Sequence, residues 1–412
     1  MKVAFLVIRN RFAAKNVNEF IDGIKKYSIC EMHEINPNTD GYFEFDINEY
    51  DGICLHYSTI AFPMRVLRPF SNSFRLRLKE FNGIKLAFVQ DEQRALLDRI
   101  DFFNEIGLDH LFSPSPNRNL PILYPTRDCS FRVSSIMTSY VMPTRISGDI
   151  NIRNRRKWDV FYRGRRSPNW LGENAKRKSE VGSVFIEHIN FANLKVNISS
   201  AESLRIYGNF WYHFLYLSKS SLLTPSGTTI IDMDGRYLEK WVKPDMPQIH
   251  VREPLELNNS MTSPKLFEYA QWGTLIISDH LIEIDEFMPG HDYFLLDEKM
   301  SNVQFLMDIL NDDLLRFDMT ERARSKLIEN KCFSYESLAQ HFDKACSDLE
   351  QDTEFVFRLP VNLSRVSVDP INFKLVFLIK IIPTKIMNGI LWLINNGIRT
   401  VKFCVLFIWH LK

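Results

Sequence analysis

The sequence predicts an α/β protein made of two doubly wound, Rossmann-like domains facing a central cleft, and three observations carry that expectation. Across residues 1–142, short apolar runs alternate with helical patterns, as parallel strands joined by helices do. Residues 143–157 are polar and rich in arginine and break the periodicity, which suits an interdomain linker. A second alternation occupies residues 158–350.

In the first domain, residues 3–8 form one apolar run, followed by Val17, Phe20, Ile21 and Ile24 at helical spacing. The run is too short for a leader, Arg9 and Arg11 follow at once, and no small-residue cleavage site appears, so it reads as a first strand. Residues 52–56 and 84–89 are further strands. Each ends in polar residues: His56, Tyr57 and Ser58 after one, Gln90, Asp91 and Glu92 after the other. Loops beyond the carboxyl ends of such strands line the ligand crevice, which makes both triplets site candidates by position.

In the second domain, residues 158–162 form a strand that opens onto Arg163, Gly164, Arg165 and Arg166. The glycine allows close backbone approach, and the arginines can clamp a diphosphate. Residues 204–207 and 222–224 read as strands, each followed by a glycine-bearing loop, at Gly208 and Gly227. The next unit is the most informative. Ser263 suits an N-cap, Pro264 the first helical position, Gly273 a helix stop, and residues 274–277 a buried strand. Lys265 and Glu268 therefore lie in the first two turns of a helix whose positive end suits an anion, with phosphate at the helix start and ribose hydroxyls on the acid. A strand at 292–296 follows, then a helix opened by a capping box of Ser301 and Gln304, with Val303, Leu306, Met307 and Leu310 facing inward. Helices near 319–330 and 335–350 complete the body.

Composition narrows the function classes. A net charge of +1 gives no case for nucleic-acid binding. After Asp369 there is no acidic residue and there are six basic ones, which leaves the preceding residues at −5. The tail, 370–412, mixes lysines with apolar runs and with Trp392, Phe403 and Trp409, and Pro383 divides it. No stretch of it is long enough to span a bilayer, and the pattern suits a basic amphipathic helix lying on an anionic inner leaflet, or packed on the body. The six cysteines are scattered without a CxxC pair, as thiols of a cytoplasmic protein are.

Two other motifs carry possible chemistry. His56 at a strand end has the right ordinary pKa for a general base, the alternative being a hydrogen-bonded structural histidine. Asp232 and Asp234, one residue apart after an apolar run, could hold a metal on a sugar diphosphate, but Asp234 and Gly235 are equally a turn signal. Asp91 and Glu92 are adjacent, and adjacent residues need not face one site.

Taken together, His56 to Ser58, Gln90 to Glu92, Asp159 to Gly164, Ser226 and Gly227 with Asp232 to Gly235, Ser263 to Thr274 and Pro289 to Phe294 resemble the group 1 glycosyltransferases of the two-Rossmann-domain (GT-B) type. Within that group the chain is most similar to the branch akin to spore-coat maturation glycosyltransferases. The resemblance runs from the first strand to about residue 350. It implies that Glu268 binds the donor ribose, and that Arg163, Arg165 or Arg166 holds the diphosphate. It also places Ser226 and Gly227 in the donor site. Many members carry a further glutamate eight residues before the ribose-binding one; here Ser260 stands in that place. The resemblance further implies transfer from a nucleotide-sugar without a metal or other cofactor; with the basic tail, the reading is transfer to a glycan or lipid-linked acceptor in surface polysaccharide assembly. Two alternatives remain: a metal-dependent transferase using Asp232 and Asp234, and a non-catalytic nucleotide-sugar-binding protein.

Overall fold

The computed structural model describes residues 1–9, 14–37, 45–60, 70–141, 156–189, 193–235, 253–285 and 287–353. Most of the 143–157 segment and the whole 370–412 tail lie outside them.

Two all-parallel sheets organise the chain. The first is built from β1 (Lys2–Leu6), β2 (Glu31–Ile35), β3 (Gly52–Leu55), β4 (Ile84–Phe88), β5 (His110–Ser113) and β6 (Arg132–Ser135), in the order β2-β1-β3-β4-β5-β6. The second is built from β7 (Trp158–Arg163), β8 (Val196–Ser199), β9 (Ser218–Leu223), β12 (Leu275–Ser278) and β13 (Phe294–Leu295), in the order β13-β12-β9-β7-β8. Between β9 and β12 the chain forms a separate hairpin of β10 (Ser226–Ile231) and β11 (Leu255–Met261). The central strands β1, β3 and β4 bury every residue or nearly so, which explains why they read as continuous apolar runs. The weaker strands β2, β6 and β8 lie at sheet edges, where half-exposure admits polar residues.

Helices cover both sheets. In the first lobe, α1 (Lys15–Tyr27) buries Phe20, Ile21 and Ile24, with α2 (Asn72–Glu80), α3 (Leu96–Ile106) and the short α4 (Leu120–Leu123) beside it. The second lobe carries α5 (Glu173–His188), α6 (Asn209–Tyr216), α7 (Pro264–Gln271), α8 (Val303–Asn311) and α9 (Asp313–Glu329). The last helix, α10 (Tyr335–Thr353), returns to the first lobe. Its Tyr335, Leu338, Phe342, Cys346 and Leu349 share a core with Val3, Phe5, Phe20 and Ile24, although the sequence boundary at 350 groups this segment with the second domain.

Local signals hold in kind more often than in detail. Residues 204–207 are not a strand: the edge position belongs to β8, and the Leu204 carbonyl accepts a hydrogen bond from Arg163 Nε (3.0 Å). The capping box at Ser301 does not form, because the Ser301 hydroxyl donates to Asp297 (2.5 Å) and Asn302 takes the N-cap position. Ser263 does occupy the N-cap of α7, but its side chain makes no capping bond.

The β10–β11 hairpin joins the lobes without belonging to either sheet. It rises from the second lobe and places Ile231 in the first lobe's core, with Met233, Leu255 and Leu257 packed against it. It supplies missing helix caps on both sides. The Asp232 and Met233 carbonyls accept from the first amides of α3, Leu96 (3.2 Å) and Leu97 (2.8 Å), and the Thr229 hydroxyl accepts from Glu173 N at the start of α5 (3.0 Å). Asn259 Nδ2 donates to Ser115 Oγ (2.8 Å), adding a buried polar tie.

Candidate functional site

A cavity of about 320 Å³ opens where the carboxyl ends of the two sheets face each other. The first lobe contributes the start of α1, with Lys15 and Asn16, and the turn after β4, with Asp91, Gln93 and Arg94. The second lobe contributes Arg163, Gly164 and Arg165 after β7, Lys178 on α5, residues 205–208, Trp211 on α6, Ser226 and Gly227 on β10, and Ser263, Lys265 and Glu268 on α7. Seven lining residues are basic and two acidic. Such a wall suits an anion.

Glu268 sits in this wall with 8% of its surface exposed. Trp211 Nε1 donates to its Oε2 (2.7 Å), and no hydrogen bond to Oε1 is formed among the described residues. Burial pushes its carboxyl up to about 7, against the lowering effect of the indole bond. Lys265, three residues earlier, is pulled down to about 7, chiefly by burial and next by the charge of Lys178. Its Nζ donates to the Arg163 carbonyl (2.5 Å) and stands 4.7 Å from the Tyr162 ring centroid. Burial also lowers Lys178, whose ammonium makes no hydrogen bond or ion pair among the described residues. Two cations held at depressed pKa beside each other are poised for a bound negative charge.

The three arginines after β7 separate. Arg163 lines the cavity, but its guanidinium donates to the carbonyls of Leu204, Tyr162 and Asn197 (2.9–3.0 Å) and to Asn197 Oδ1 (2.6 Å), so it holds the loop in shape. Arg165 is exposed on the cavity wall with its side chain unbonded among the described residues, whereas Arg166 does not line the cavity. The glycines have structural reasons of their own. A Cβ on Gly164 would meet Ser200 Oγ at 2.6 Å and the Lys178 carbonyl at 2.7 Å. One on Gly227, at φ +78°, would meet the Asn259 carbonyl at 2.0 Å.

His56 is not in the cavity. It is fully buried among Phe5, Phe20 and Tyr57, with Ser58 N donating to its Nδ1 (3.1 Å), and burial lowers it to about 3. It stays neutral at physiological pH, away from the cluster of charges. Asp91 and Glu92, adjacent in sequence, part company. Glu92 is fully buried and accepts from the hydroxyls of Ser113, Ser115 (2.6 Å) and Tyr124 (2.8 Å). Asp91 is exposed on the cavity wall with φ +56°, a left-handed conformation uncommon for aspartate.

The two aspartates of the metal alternative differ in exposure. Asp232 is 1% exposed, its Oδ1 accepts from Gly235 N (3.1 Å), and its backbone bridges Gln93 and Leu96. Asp234 and Gly235, which complete the turn, are only half-buried. No group of three metal-ligating side chains occurs among the described residues.

Sequence reasoning missed Lys178, Arg205, Trp211, Lys15 and Arg94. A partial signal existed for one: Ala175 and Lys178, at i and i+3, share the cavity-facing side of α5. The others reach the cavity only through tertiary placement.

The fold and cleft define a two-Rossmann-domain protein of the GT-B type, and the solved structures agree. The chain is similar to T4 phage BGT in complex with UDP and Mn2+, at 12% identity and a TM-score of 0.52, covering 84% of this chain and 99% of that one. A point mutant of T4 phage BGT in complex with UDP-glucose gives 13% identity and a TM-score of 0.51 over 84% and 99%. No family model matches the sequence, and no curated protein matches it. The likeness establishes the fold; the chemistry rests on the cavity.

Proposed function

We propose that this protein is a glycosyltransferase that moves a sugar from a nucleotide-sugar donor to a glycan or lipid-linked acceptor. The observation that carries the reading is the buried Glu268 beside Arg165, Lys178 and Lys265 on one wall of the interlobe cavity. A diphosphate against those cations leaves the ribose hydroxyls to donate to Glu268, whose other oxygen Trp211 holds. The base then falls on residues 205–208, beside Trp211. T4 phage BGT, which shares the fold, has been seen with UDP and Mn2+, and a point mutant of it with UDP-glucose, and that supports the donor class.

In the transfer, the bond between the anomeric carbon and the diphosphate oxygen breaks, and its electron pair leaves on the diphosphate. Arg165, Lys178 and Lys265 stabilise that charge, in the place a metal would otherwise take. The acceptor hydroxyl oxygen bonds to the anomeric carbon. Its proton passes to Asp91, the carboxylate on the opposite wall.

The finer placement in the branch akin to spore-coat maturation glycosyltransferases rests on the Lys265 to Thr274 block. A role in surface polysaccharide assembly, with the protein cytoplasmic and peripheral on the inner leaflet, rests on the basic 370–412 tail. Among the described residues no helix is long and apolar enough to cross a membrane.

Calorimetric titration with UDP tests the donor site. Binding is expected without added metal and unchanged by EDTA, and Glu268→Ala is expected to weaken it about ten-fold or more. Undiminished affinity in the variant would sink the ribose role. Binding without turnover across a panel of UDP-sugars and acceptors would favour a non-catalytic binding protein.

A further inference from the structure

Besides Arg163, which holds its own loop, the donor reading leaves three cations of the cavity without a phosphate; Arg205 is paired with Glu202 (2.7 Å), and the other two, Arg94 and Lys15, lie on the first-lobe wall. Arg94 follows Gln93 in the turn after β4; its guanidinium stands 6.0 Å from the Trp170 ring centroid, and its Nε is buried without a hydrogen-bond partner. No ion pair engages it among the described residues. Lys15, the first residue of α1, has its Nζ 3.8 Å from Glu19 Oε1 and 4.5 Å from the Tyr212 ring centroid. That pairing is loose, and Glu19 also accepts from the Tyr212 hydroxyl (2.9 Å). The only acid lining this wall among the described residues is Asp91.

Cations on the wall that must receive the acceptor, in excess of what the donor's diphosphate engages opposite, call for negative charge on the acceptor. We infer that the acceptor is an anionic glycan, one carrying a phosphate or carboxylate close to the hydroxyl that reacts. Arg94 supplies the planar, forked donor that recognises such a group, and Lys15 adds a second charge. Asp91, on the same wall, repels an anion from the reacting position and so favours a hydroxyl there. A nucleic-acid strand is the less suitable anion. The whole chain carries a net charge of only +1, which gives little general attraction for a polyphosphate backbone.

This inference rests on the donor reading, and its test separates the two. Protein saturated with UDP is titrated calorimetrically with glucose, glucose 6-phosphate, glucuronic acid and a deoxydinucleotide. The two charged sugars are expected to bind about ten-fold or more tightly than glucose. Arg94→Gln is expected to remove that preference, with UDP affinity within about two-fold of the parent; Arg94→Lys retains part of it, and Lys15→Gln reduces it less. Equal binding of glucose and the charged sugars overturns the inference alone, as does a preference that survives Arg94→Gln. Tighter binding of the dinucleotide overturns the choice of a glycan. Failure of UDP itself to bind overturns the donor reading and this inference with it.

Discussion

Glu92 and Glu268 are both buried carboxylates, one in each lobe, and they are built for opposite ends. Glu92 accepts from three hydroxyls, and nothing of it reaches the cavity. Glu268 has one donor, Trp211, and lines the cavity with the rest of its group. Complete satisfaction makes a buried acid part of the scaffold; partial satisfaction beside an opening leaves it free for a ligand. The difference teaches that burial alone does not mark a site. An incomplete hydrogen-bond complement facing a cavity does.

The largest expected effect breaks the comparison on the structural side. Glu92→Ala leaves the hydroxyls of Ser113, Ser115 and Tyr124 without their acceptor, at a cost of about 3–5 kcal/mol. Chemical denaturation is expected to show that loss, whereas Glu268→Ala should cost far less. Comparable losses in the two variants would remove the distinction.

Next comes pH. Glu268 in the folded protein holds its proton up to about 7, while the unfolded chain releases it near 4.5. Stability therefore falls as pH rises through that window, by something of order 3 kcal/mol. Lys265 is the mirror case. The unfolded chain holds its proton to about 10.5 and the folded protein only to about 7, so stability rises with pH between those values. Melting temperature followed across pH is expected to lose the falling limb in Glu268→Gln and the rising limb in Lys265→Met. A parent profile without a minimum near neutrality would contradict the assigned burial of both groups.

His56 sharpens the rule with the smallest effect. Its Nε2 is buried without a hydrogen-bond partner among the described residues, yet it is away from the cavity. His56→Gln is expected to cost about 1–2 kcal/mol of stability through lost aromatic packing and to change kcat by less than about two-fold. A collapse of kcat with the fold intact would restore a chemical role for this residue.

These contrasts also mark what was legible in the sequence. The central strands could be read because complete burial writes an unbroken apolar run, and α7 with β12 because Pro264 and Gly273 bracket them. Edge strands were missed because half-exposed positions accept the polar residues found in β2 and β8. Lys265, Glu268 and Arg165, which line the cavity, could be singled out because they lie beside local punctuation in the chain. Lys178 and Arg94 were not, because each reaches the cavity from an element whose placement depends on distant packing. Arg163 shows the converse: its position was right, but its side chain is spent on carbonyls that only the folded loop brings near.

The hairpin that caps α3 in one lobe and α5 in the other has a consequence for modularity. Exchanging lobes between relatives is an obvious route to new donor and acceptor pairings, with the cut made where the chain passes from one sheet to the other. Here such a chimera would carry Ile231 and Met233 of one parent into the core of the other, and would pair α3 with foreign carbonyls. With α10 also returning to the first sheet, a working exchange has to move three separate segments together: the first lobe, the hairpin and the last helix.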